Sequence, residues 1–292
     1  MRRRNIMMAL VWILLAVVLT YLLVSKISEK GSDKNKNLII SFSPSSLQST
    51  KNFDANKVEN LFVDLTSESF YLENTNGNSI IVELYGNEKS IPSVNINNNT
   101  LEIKSEVHIG INFGEQKVVV KIPNNCKFDD VNVKSLSGAL HVSEVAAKNV
   151  IYKSSSGSIH VNDGIVESGK IESQSGSVSI INCDIIKLDA SSVSGSLKFA
   201  GSTDQFDLAS VSGSVRVDLN KPFVNESKME STSGSLHLNI PKNTNCNVDY
   251  KCTSGSYTNS ITSTRGKSGV DVMGNGGPVL MLKSTSGSIH ID

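Results

Sequence analysis

Between Ser135 and Ile291 the chain writes version after version of one phrase, Ser-x-Ser-Gly-Ser-apolar-x-apolar. The glycines that index the copies are Gly138, Gly157, Gly176, Gly195, Gly213, Gly234, Gly255 and Gly287, and the first spacings are 19, 19, 19 and 18 residues. A period this short and regular belongs to a stacked solenoid, in which each repeat is one coil whose apolar face is covered only by its neighbours. Counting from each glycine, position plus two holds Leu140, Ile159, Val178, Leu197, Val215, Leu236, Tyr257 and Ile289, and plus four holds Val142, Val161, Ile180, Phe199, Val217, Leu238, Asn259 and Ile291. Upstream, minus five holds Val133, Tyr152, Ile171, Ala190, Leu208, Met229, Tyr250 and Leu282, with a mostly apolar column at minus seven. Both halves alternate with the period of a strand, and these columns are expected to face inward.

The inward parity slips by one residue at the glycine, as a bend between two strands requires, and glycine tolerates the backbone angles expected there. The serines at minus three, Ser135, Ser154, Ser173, Ser192, Ser210, Ser231 and Ser284, fall on the inward parity, with Cys252 in the remaining copy. Small side chains let the coil narrow at its corner, and stacked hydroxyls can bond along the ladder. Linkers and glycosylated stalks are also serine-rich, but neither needs apolar columns in register.

The N-terminus reads Met1-Arg2-Arg3-Arg4 and then an apolar run from Met7 to Val24. As a helix that run would be about 27 Å long, close to the thickness of a bilayer core. No small-x-small cleavage pair and no nearby cysteine for lipid attachment follow it, so it reads as an uncleaved anchor. The arginines place residues 1–24 as a cytoplasmic tail and transmembrane helix of a single-pass cell-membrane protein, with the bulk of the chain extracytoplasmic. Residues 25–57 read as a polar tether, 58–130 as an antiparallel β layer capping the first coil, and 131–292 as the β-solenoid. The expected fold class is therefore all-β. The chain ends at Ile291-Asp292 inside a buried strand pattern, which leaves an open terminal coil that either is protected or joins a second copy as a homo-oligomer.

Cys126, Cys183, Cys246 and Cys252 permit two disulfides in three connectivities. Free thiols are the favoured reading, because Cys252 stands in for a ladder serine and no CxxC metal spacing occurs. Charge is balanced, 28 basic against 28 acidic residues, which gives no reason to expect nucleic acid.

Corners such as Ser154-Ser155-Ser156-Gly157-Ser158-Ile159 and Ser284-Thr285-Ser286-Gly287-Ser288-Ile289 resemble those of a bacterial "putative adhesin" family of unknown function, over roughly Val58 to Asp292. The anchored layout with Arg2 to Val24 is similar to its LiaG-like members, which occur with cell-envelope stress systems of Gram-positive bacteria. The resemblance implies the fold and an envelope setting; it brings no catalytic residues and no cofactor.

One outward column stands apart. At plus three the residues are His141, His160, Ser179, Lys198, Arg216, His237, Thr258 and His290, so four of the five histidines share one offset. They are expected to line one exposed stripe about 34 Å long, at about 4.8 Å per step. Such a stripe suits an anionic wall polymer or lipid head groups, and its histidines would strengthen it in acid. Other partners in this setting would be envelope-stress membrane proteins. Exposed strand positions are polar for solubility alone, which is the plainer account of the same column. A metal site on His141 and His160 has too few ligands, despite Asp129, Asp130 and Glu144 nearby in sequence. An enzyme needs a convergent constellation, and here aromatics are only 5% of residues, no Gly-x-Ser-x-Gly occurs, and Gly274–Pro278 lacks the lysine of a phosphate loop. The sequence thus reads as a non-catalytic envelope-binding or accessory module. A self-associating bactofilin-like scaffold and a polysaccharide-active β-helix enzyme are the alternatives.

Overall fold

The computed structural model describes residues 39–41, 46–87, 91–105, 110–112 and 116–292. The apolar run Met7–Val24 lies outside them, and no helix among the described residues is long and apolar enough to cross a membrane. The chain divides into two compact units, Met1–Ser41 with His108–Phe113 and Phe42–Val107 with Gly114–Asp292. In the first, Ile39–Ser41 pairs in parallel with Gly110–Asn112. The second is the all-β stack.

Each coil is two short strands joined at a Ser-Gly corner. In the Gly157 coil, Ala146–Ser154 leads into the corner and Ile159–Asn162 leads out. Both pair in parallel and in register with their equivalents: Tyr152 lies between Val133 and Ile171, and Val161 between Val142 and Ile180. The stack therefore has a first-strand face and a second-strand face, with the minus-five and plus-two columns meeting between them. Val133, Tyr152, Ile171, Leu140, Ile159 and Leu236 are wholly buried there.

The glycines are required for space rather than for unusual angles. None of the eight has a positive φ. Instead seven of them pack the α-carbon against the carbonyl of the glycine one coil away, and Gly138 packs against that of Glu68, so that a Cβ on Gly195 would fall inside the carbonyl oxygen of Gly176. Beside this spine the serines act as relays. Ser192 Oγ accepts the Gly195 amide (2.9 Å) and donates to the Gly176 carbonyl (3.1 Å); Ser210 and Ser231 repeat the pattern. A buried hydroxyl that both accepts and donates satisfies its own corner and the next one.

The stack extends further toward the N-terminus than the repeat motif shows. Asn60–Leu65 and Ser69–Thr75 form a parallel coil beside the Gly138 coil, and Thr100–Lys104 with Lys117–Pro123 form another beyond it. The layer expected at 58–130 is thus mixed. Antiparallel strands then extend its edges: Ser79–Gly86 beside Lys117–Pro123 and Ser93–Asn97 beside Thr100–Lys104, with Ser46–Asp54, from the stretch expected as a tether, paired to Ser79–Gly86; Ile80, Val82 and Leu84 are buried in the core. At the corner of the 60–75 coil Leu65 stands in register with Ser135, and buried Glu68 lies where the other coils have glycine, its carbonyl against Gly138 and its Oε2 accepting from the amides of Thr66 (3.1 Å) and Ser67 (3.0 Å).

At the other end the coils are not stacked in chain order. The Gly287 coil, not the Gly255 coil, lies on the Gly234 coil, and the Gly255 coil lies beyond it. Val279–Ser284 pairs in parallel with Ser227–Ser231 on one side and Cys246–Cys252 on the other, and Ile289–Ile291 sits between Leu236–Asn239 and Tyr257–Asn259. The expectation of an open terminal coil at Ile289 is corrected: both edges of that strand are filled. The stack ends instead in the antiparallel strands Ser268–Met273 and Arg265–Gly266.

That end is organised around one buried carboxylate. Asp271 accepts from Tyr257 Oη (2.7 Å), Asn259 Nδ2 (2.8 Å), Thr262 Oγ1 (2.8 Å) and Thr264 Oγ1 (2.9 Å). Burial opposes its ionisation, but these donors outweigh it and hold its pKa below the usual aspartate range. The cluster explains why Asn259 occupies an inward, apolar column. All four cysteines are free thiols, three of them buried.

Candidate ligand-binding stripe

The second-strand face brings the plus-three residues into one unbroken ladder. Its order is Tyr71, His141, His160, Ser179, Lys198, Arg216, His237, His290, Thr258. All six residues expected to form the stripe are therefore neighbours along it, interrupted only by Ser179. The coil insertion places His290, rather than Thr258, against His237. Tyr71 belongs to the same ladder, and no glycine marks its offset in the sequence.

The rings are stacked flat. Tyr71 and His141 have centroids 4.7 Å apart at 8°, His141 and His160 5.1 Å at 10°, and His237 and His290 5.2 Å at 17°. Each ring's faces are turned toward its neighbours along the stack axis. What the stripe offers to solvent is ring edges, and hence imidazole nitrogens, in steps of one coil. An anion can accept hydrogen bonds from these edges.

Charge along the ladder is uneven. Arg216 is held by Asp218, Nε and one terminal nitrogen each 3.1 Å from a carboxylate oxygen. Lys198 is exposed and makes no ion pair among the described residues. Burial pushes the pKa of His141 down, and neighbouring His160 adds to the effect. His237 is likewise lowered, by burial first, then by His290 and Arg216, with Asp292 opposing. For these two histidines the folded state binds protons less readily than the unfolded chain. Their contribution to stability is present above the unfolded histidine pKa, about 6.5, and is lost as pH falls through the folded values. An anion on the stripe would reverse that sign by favouring the protonated rings.

The first-strand face is different. Several of its charged residues pair with one another: Lys153 with Glu172 (2.7 Å), Lys170 with Glu172 (3.0 Å) and Lys228 with Glu230 (2.9 Å). Among the described residues no three or more His, Cys, Asp or Glu side chains gather as a metal site. The glycine-rich Gly274–Pro278 segment is a tight link, with positive φ at Gly274 and Gly276 and the Asn275 amide donating to Asn245 Oδ1 (2.9 Å).

The family model described as Toastrack DUF4097 matches residues 58–292. Among solved structures, a "putative adhesin" from Parabacteroides distasonis ATCC 8503 is 13% identical, with a TM-score of 0.50, covering 88% of this chain and 100% of its own. A second "putative adhesin", from Parabacteroides merdae ATCC 43184, is 10% identical, with a TM-score of 0.50 and 88% and 99% coverage. A third structure, of a "putative lipid binding protein" from Parabacteroides distasonis ATCC 8503, is 14% identical at a TM-score of 0.49, covering 88% and 100%. At these identities the likeness is one of fold. No functionally curated protein matches the chain.

Proposed function

The chain belongs to the Toastrack DUF4097 family, and from that fold and the stripe it carries we propose a non-catalytic binding module of the bacterial cell envelope. In this reading Met7–Val24 anchors it in the membrane with the N-terminus inside, and the solenoid stands outside the cell. Its work is to hold an anionic chain, a phosphate-bearing wall polymer, along the second-strand face. The observation that carries the proposal is the unbroken ladder from His141 to His290. A linear polyanion laid along the stack axis meets a potential donor at each coil, whereas a compact ligand meets only one or two.

The name adhesin on the two solved relatives accords with a binding role. So does the exposed Lys198 in the middle of the ladder, which makes no ion pair among the described residues. The test is photocrosslinking in living cells from a reactive group placed at Lys198, with mass spectrometry of the captured material. The expected adduct is a wall polymer. Capture of a membrane protein alone, or no adduct although added reagent shows position 198 to be accessible, would remove the polymer reading.

A further inference from the structure

The last coil of the sequence is a wedge. Residues 279–292 enter between two coils that precede them in the chain and bond to both. On one side the Leu236 amide donates to the Ser288 carbonyl (2.9 Å) and the Asp292 amide to the Leu238 carbonyl (3.0 Å). On the other the Ile289 amide donates to the Ser256 carbonyl (2.9 Å) and the Ser260 amide to the Ile291 carbonyl (2.8 Å). Leu280, Leu282, Ile289 and Ile291 are all wholly buried. Ser284 continues the serine relay, donating to the Gly234 carbonyl at 3.2 Å.

Among the described residues, the end module, residues 246–273, has no strand pairing to the stack except through this wedge. Cys246–Cys252 pairs only with Ser268–Met273 and the wedge, and Tyr257–Asn259 only with Arg265–Gly266 and the wedge. The end module and the wedge therefore must part for either to leave. Once parted, they expose a slot whose shape, register and spine fit one known segment, residues 279–292, and every copy of the chain carries that segment. Upstream, the wedge is joined to Met273 by Gly274–Pro278, curled by positive φ at Gly274 and Gly276. Extended, this link lets Val279 lie about 20 Å from Met273.

We propose that residues 279–292 are an exchangeable element, and that two copies trade them to form a reciprocal dimer. The wedge of each copy fills the slot of the other, and the links open from curl to extended chain. The same ladders and the same buried side chains are made in dimer and monomer. The balance between them is then set by the link's conformation and by protein concentration at the time of folding. The exchanged dimer also carries two stripes, each completed by the other copy's His290.

The test uses the full chain in detergent micelles with Lys251→Cys and Lys283→Cys. These two positions are exposed, adjacent and in register between the end module and the wedge. Isotopically heavy and light chains are mixed, unfolded, refolded together over a range of concentrations and oxidised, and the cross-linked peptides are read by mass spectrometry. Exchange predicts hybrid links joining position 251 of one isotope to position 283 of the other. These should rise with concentration toward about half of all such links. Hybrid links absent at every concentration overturn the proposal. So do hybrids matched by equal numbers of 251–251 and 283–283 links, which report surface encounters only. If that variant does not fold, Thr258→Cys with His290→Cys gives the same readout across the opposite face.

Discussion

Replacing Gly195 with alanine is expected to break the stack near its middle. The added methyl has nowhere to go. Its nearest neighbours are backbone atoms, the Gly176 carbonyl and the Ser177 amide, which belong to a coil held in register on both faces. Side-chain overpacking costs about 1–3 kcal/mol, and a clash with paired backbone exceeds that range because no rotamer relieves it. Separating the coils also weakens the relay, in which the Gly195 amide donates to Ser192 Oγ and the Gly195 carbonyl accepts from Ser210 Oγ. A loss of about 4 kcal/mol or more is expected, against about 0.5 kcal/mol or less for Ser196→Ala at the neighbouring exposed position. Urea unfolding followed by far-ultraviolet dichroism measures both. Equal midpoints for the two variants would mean that the glycines are not a packing spine.

Asp271→Ala acts at the end of the stack through charge and hydrogen bonding. It removes the acceptor of Tyr257 and Asn259, both wholly buried, and of the Thr262 and Thr264 hydroxyls. Each buried donor left without a partner costs about 1–3 kcal/mol, so the substitution should destabilise this end by about 2–5 kcal/mol. Solenoid stability is a sum over neighbouring coils, so the effect should stay local. Hydrogen exchange should quicken in 246–292 and stay near wild type in 131–219. The wild-type cluster has a pH signature of its own. Because the folded pKa of Asp271 is lowered, its contribution is present above the unfolded aspartate pKa, about 3.9, and is lost as pH falls through the folded value. Uniform exchange along the chain in Asp271→Ala would contradict an end module that depends on this carboxylate.

The columns of the solenoid were legible because burial alternates with an unvarying period; the minus-five and plus-two residues are inside from Val133 to Ile289. The chain's departures from the columns carried information that the motif alone concealed. Cys252, Tyr257 and Asn259 break three columns within one repeat, as terminal repeats do, and the Gly255 coil is indeed the outermost of the repeat copies. Nothing in the glycine spacing reveals that later residues slide in beneath it, since strand pairing at that end is decided by long-range contacts. The 60–75 coil escaped the motif because Leu65 and Glu68 stand where the repeat has serine and glycine, and Tyr71 escaped with it. The stripe's residues could be read from their shared offset. The stacking of their rings, the Asp218 clamp on Arg216 and the lowered pKa of His141 and His237 depend on distances no periodicity contains.

The central claim, that the stripe grips a polyanion, is tested most directly by titrating the full chain in micelles with purified poly(glycerol phosphate) at pH 7.5 and 5.5. The comparison is with the triple variant His160→Gln, Lys198→Gln, Arg216→Gln. The account predicts affinity about tenfold or more tighter at the lower pH, as several histidines each add a fraction of a kcal/mol. It also predicts weakening by salt, and a variant that binds poorly at both pH values. Binding that is unchanged by pH and unchanged in the variant would place the polymer elsewhere on the molecule and contradict the account.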